Sequence, residues 1–143
     1  IPTKAPTPIF ALERYFKVDP FLTIYNSPFR KGEKRGVYHT IHACFVLARL
    51  SSFYGKYLPE VEGTEFYNDV VGRLLLNIAR LEEGISYIND ENIYTDQGKK
   101  ILNYLNTILV ESKNAFAELI LNYDVSDQPI EFDINLFLKT NNL

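Results

Sequence analysis

The sequence has no methionine, no tryptophan and a single cysteine, and no apolar run in it is long enough to span a membrane. Cys44 has no second thiol to pair with, so a disulfide-stapled scaffold is excluded and the redox compartment is left open. There is no Asn-x-Ser/Thr sequon, no Glu-x-x-His pair of the kind that builds carboxylate-bridged di-iron bundles, and no glycine-rich phosphate loop after a strand-like segment. Glycine and proline number seven each, and three of the prolines fall in residues 1–8. The missing initiator predicts removal of something before residue 1: the initiator itself, a trimmed start or a targeting peptide.

What remains is an ordinary globular composition in one domain's length: 143 residues, 46% hydrophobic, 23% charged, with 14% aromatics on the high side. The net charge of −3 conceals a split. Residues 1–56 carry nine Lys/Arg against three Asp/Glu, and residues 57–143 carry six against fifteen. The acidic half disfavours nucleic acid as a partner.

The pattern predicts an all-α chain: an up-and-down four-helix bundle over 9–123, an extended Pro-rich N-terminal arm over 1–8 and an extended C-terminal tail over 124–143. Pro2, Pro6 and Pro8 make the arm polyproline-like. A short helix follows it, with Ile9, Leu12 and Phe16 on one face and Asp19-Pro20 ending it. Residues 29–36 form an exposed basic connector. A helix over 37–58 is apolar on more than one side. Thr64 caps a third helix, whose seam is Phe66, Val70, Leu74, Ile78, Leu81, Ile85 and Ile88. Thr95 caps a fourth, with a seam of Ile101, Leu105, Ile108, Ser112, Ala115, Leu119 and Tyr123. Gly72 and Gly84 inside a helix point to close helix–helix approach. From Ile130 to Leu136 apolar and polar residues alternate, which predicts a strand with no sheet of its own to join. A short helix over 134–138 is the alternative.

Candidate chemistry is thin. His39 and His42 lie near one face of a helix start, but no further ligands share the spacing, so no metal or other cofactor is expected. Glu82-Glu83 and Asp90-Glu91 are adjacent pairs, about 100° apart on a helix and poor as general acid/base couples. Ser51-Ser52 has no nearby base. The expected binding residues are Arg30, Lys31, Lys34 and Arg35 in the connector and Ile130, Phe132, Ile134 and Leu136 in the tail. The expected function is a non-enzymatic structural or accessory subunit. It docks through its extended ends and basic connector, onto a larger protein complex or onto copies of itself, an acidic surface meeting the connector. A virion or filament coat protein is one form of this, and an aromatic-lined ligand-binding bundle is a different class.

Two resemblances add specific cases. Residues 47–54, Leu-Ala-Arg-Leu-Ser-Ser-Phe-Tyr, and 77–84, Asn-Ile-Ala-Arg-Leu-Glu-Glu-Gly, resemble PsbQ-type extrinsic subunits of photosystem II. That implies a lumenal four-helix bundle with a Pro-rich arm. The family's characteristic Trp is absent, and about thirty C-terminal residues have no counterpart. Arg35 and His42 resemble the Arg/His pair of HEPN-type helical ribonucleases, which implies phosphodiester cleavage. Gly36 stands where that family has a polar residue.

Overall fold

A computed structural model describes residues 14–21, 24–26 and 34–143. The chain is all-α in class, and the described residues include a short antiparallel ribbon: β1 (Ile24–Asn26) pairs with β2 (Lys34–Gly36), Tyr25 opposite Arg35. Five helices follow: α1 (Val37–Tyr57), α2 (Tyr67–Ile88), α3 (Asp96–Ala115), α4 (Ala117–Asn122) and α5 (Ile134–Thr140). Among the described residues no helix is long and apolar enough to cross a membrane.

The core forms around α2. Val70, Val71, Leu74, Leu75, Leu76, Ile78, Leu81, Ile85 and Ile88 are all buried, more positions than one helical stripe can hold. Helices α1, α3, α4 and α5 all pack against α2. Pro59, in the 3₁₀ turn Leu58–Val61, stops α1, and the short connection lays α2 back along it. Helix α3 runs parallel to α1: Phe45 stacks on Tyr104, and the Phe116 ring lies against Gly55, ten and twelve residues further on.

Residues 14–21 tie the helix ends together. Phe16 bridges Tyr94 in antiparallel fashion: Lys17 N–H donates to the Ile93 carbonyl at 2.8 Å, and Thr95 N–H to the Tyr15 carbonyl at 3.0 Å. Tyr94 is fully buried, and its hydroxyl donates to the Ile88 carbonyl at 2.8 Å, which also accepts from Asp90 N–H at 2.9 Å at the end of α2. The Pro20 carbonyl accepts from Tyr38 N–H at 3.0 Å, so the backbone caps an α1 start that has no side-chain cap. Gly98 makes this clamp fit, since a Cβ there would lie 1.8 Å from the Tyr15 carbonyl oxygen.

The C-terminal residues are not an extended strand. Asp133 accepts from Leu136 N–H at 3.0 Å and caps α5, so Ile134, Phe137 and Leu138 fall on one helical face. Gln128 closes the loop before it through two bonds with the Asp133 backbone, at 2.8 and 3.0 Å. Phe137 is completely buried, and the Phe132 ring sits where a Cβ on Gly72 would come within 2.3 Å of it. Gly72 thus admits an aromatic from the tail, where the sequence pointed to a helix–helix approach.

Other expectations are corrected by local bonding. Arg14 to Phe16 form a turn and a bridge and not a helix, because their backbone groups pair with the segment before α3. The connector is not wholly a loop, since Lys34–Gly36 is β2. Thr64 does not cap α2: its hydroxyl donates to Val61 O at 2.7 Å and accepts from Phe66 N–H, one turn early. Thr95 does cap α3, accepting from Gly98 N–H at 3.2 Å. The helix expected to run on to Tyr123 is interrupted at Phe116, and the buried line of α3 is Gly98, Leu102, Leu105 and Leu109. Residues 1–13, with the arm and the first half of the short N-terminal helix, lie outside the described residues.

Two outcomes follow. Gly98→Ala should lower unfolding free energy by about 1–3 kcal/mol in a denaturant titration, because a backbone carbonyl must move; an unchanged midpoint would show that the clamp is not tight. Burial in apolar surroundings pushes the Cys44 thiol from 9.0 up to about 12. The folded state therefore holds this proton more tightly than the unfolded state. Its contribution to stability is complete below pH 9 and lost as pH rises from about 9 to about 12. A thiol reagent at pH 8 should label Cys44 only after denaturant is added, as read by mass spectrometry.

Candidate functional site

Helix α1 has two unlike sides. Val37, Thr40, Ile41, Cys44, Leu47, Ala48 and Ser51 are buried, and Ser51 satisfies its hydroxyl on the Leu47 carbonyl at 2.8 Å. Opposite them, His42, Val46, Arg49, Phe53 and Tyr57 recur at four- and three-residue intervals, which makes one continuous stripe. All five are exposed; Phe53 is at 58%, and its ring stacks on Tyr57 with centroids 5.9 Å apart. His39 and Lys56 flank the stripe and are also exposed. There is no Asp or Glu between Glu33 and Glu60, so this face is aromatic and basic with no carboxylate of its own helix on it.

β2 leads directly into α1, so the backbones of Lys34 and Arg35 sit at the helix's N-terminal end. Arg30 and Lys31 lie outside the described residues. Arg35 precedes the helix that carries His42, which does not give the two a shared helical face. His42 stacks on Tyr38 at 6.3 Å, and His39 meets the edge of Phe21. Among the described residues no three His, Cys, Asp or Glu are grouped to hold a metal.

The tail residues go elsewhere. Phe132 lies under the Arg73 guanidinium, 5.0 Å from ring centroid to Cζ, while Arg73 Nε donates to Asp69 at 2.6 Å. Ile134 and Leu136 are half-buried, and Ile130 is exposed. The acidic pairs are held structurally: Glu82 pairs with Lys113 at 2.5 Å, Glu83 accepts from the Tyr87 hydroxyl, and Asp90 caps the 3₁₀ turn Glu91–Ile93. Of the connector, the described strand Lys34–Gly36 packs against α1, while the tail helix packs against α2. Phe53, Tyr57 and Val46 were missed by the sequence reading; their signal was the stretch without carboxylates combined with helical spacing.

Segments 47–54 and 77–84, which carry the PsbQ resemblance, fall within α1 and α2. Comparison of the chain with protein-family models, with curated proteins and with solved structures gives no match.

If the stripe on α1 is kept for contact and not for folding, Phe53→Ser with Tyr57→Ser should change stability by no more than about 1 kcal/mol. A loss comparable to that of a core Phe→Ala variant, about 3–5 kcal/mol, would make it structural.

Proposed function

We propose that this chain is a non-enzymatic subunit of a larger protein assembly, docked through the outer face of α1. The observation that carries the reading is that face: three exposed apolar side chains in register with Arg49 and two histidines, on a helix without a carboxylate. Large apolar residues in register on one exposed helix face suit an interface, where aromatics and arginine are enriched. Their basic frame selects an acidic protein surface and steers encounter with it. In the sequence, Arg30, Lys31, Lys34 and Arg35 stand just before α1 and add four cations to the same half of the chain. In this reading the scaffold is a variant four-helix bundle in which α4 and α5 together stand in the fourth place beside α1, α2 and α3.

The test is the size of the chain in a native extract at low ionic strength. The full chain should run with a larger assembly, and Phe53→Asp with Tyr57→Asp should run at monomer size while keeping the native circular dichroism. Raised salt should release the unaltered chain as well, because exposed charges are screened beyond about 10 Å at 0.1 M. A chain that runs as a monomer in the unaltered extract contradicts the proposal.

A further inference from the structure

A cavity of about 260 Å³ lies between α2, α4 and residues 123–125. It exists because the backbone leaves helical geometry at Phe116 (φ −116°, ψ 26°), so α4 does not continue the line of α3 along α2. Leu75, Ile78, Ile120 and Val125 give it an apolar lining, and Leu75 and Ile78 belong to the buried core. Its charged lining is one pair, Glu82 on α2 and Lys113 near the end of α3, 2.5 Å apart with both side chains about half exposed. An apolar recess with a single exposed ion pair at its solvent side accepts a small amphiphile carrying one charge.

The surroundings decide the sign of that charge. Glu83, Asp124 and Asp127 lie on the same elements or line the adjoining cleft, and Glu118 is on α4. Against them stands Arg80, whose guanidinium donates to the Pro129 carbonyl at 2.6 Å. The C-terminal end of α3 adds its own partial negative charge beside Lys113. An anion on Lys113 would sit beside the Glu82 carboxylate and the C-terminal end of α3, with Glu83 and Asp127 in the adjoining cleft, whereas a cation on Glu82 would meet the same groups as a favourable field. An exposed ion pair is a weak bond, so Lys113 is readily displaced.

We propose that this cavity binds a small organic cation, an alkyl- or arylammonium whose apolar body fills the recess and whose ammonium replaces Lys113 on the Glu82 carboxylate. The site is separate from the α1 face and does not depend on the docking reading. The test is an amide chemical-shift titration of the full chain with hexylammonium and 2-phenylethylammonium, with hexanoate and methylammonium as comparisons.

The two amphiphilic amines should bind and shift resonances of Ala79, Glu82, Ile120 and Tyr123. Hexanoate should bind at least tenfold more weakly, and methylammonium, which lacks an apolar body, should leave these resonances in place. Glu82→Gln should weaken hexylammonium about tenfold. Lys113→Ala should strengthen it, because the internal competitor is gone; a purely structural role for the pair would not produce opposite effects. Both variants alter exposed groups, and their folding is checked by the unchanged spectrum of α1 resonances. No shifts with either amine, hexanoate binding as well as hexylammonium, or weakening by Lys113→Ala would each overturn the proposal.

Discussion

One constraint organises the molecule: α2 buries more than one stripe, from Val70 to Ile88, and leaves only the side with Ala79, Glu82 and Ser86 open to solvent. No single partner can cover the rest. Helix α1 covers one side along its length, α3 another, and α4 with α5 close what is left. The other particular features follow from this demand. The tail folds back because Phe137 and Phe132 fill the side of α2 at Gly72. The N-terminal segment is held at Tyr94 because that ring, which ties off α2 at Ile88, needs Phe16 over it. Filling such a space with aromatics is worth about 1.5–3 kcal/mol per buried side chain, more than any surface ion pair here can supply.

The same constraint explains why α1 is the helix left with chemistry to spare. Its inward side is used up by α2 and α3, and its outward side has nothing over it among the described elements. The two halves of the chain also differ in kind. The outer side of α1 carries cations and rings without acids, while the later helices carry paired and capped carboxylates such as Glu82, Glu83, Asp90 and Asp133. The near-zero net charge is a sum over two unlike surfaces, and only one of them combines a single sign of charge with a row of exposed apolar side chains.

Much of this was legible in the sequence where period and burial coincide. The α2 seam from Val70 to Ile88 and the Thr95 cap are stated directly by spacing and residue type, whereas Phe66, expected at the head of that seam, is exposed just before the helix. Legibility failed where a few side chains override the period. Asp133 turns an alternating run into a helix by capping it: the alternation of Ile130, Phe132, Ile134 and Leu136 favours a strand, and it is the alternative, a short helix over 134–138, that the structure bears out as Ile134–Thr140. Phe116 interrupts a helix whose heptad reads on to Tyr123, because the packing of its ring at Gly55 is a tertiary fact. The proposed docking surface is half legible. The charge split points to the basic half, but composition singles out the Arg/Lys-dense connector, and Phe53 and Tyr57 read as core until the helix faces are known.

The proposed docking role turns on whether the outer face of α1 is covered in a native extract. Hydroxyl-radical footprinting of the chain, isolated and in that extract, measures this at single side chains. Phe53 and Tyr57 should oxidise readily in the isolated chain and be protected in the extract, while Tyr104 on α3 is oxidised alike in both. Equal oxidation of Phe53 and Tyr57 in the two states would contradict the docking role.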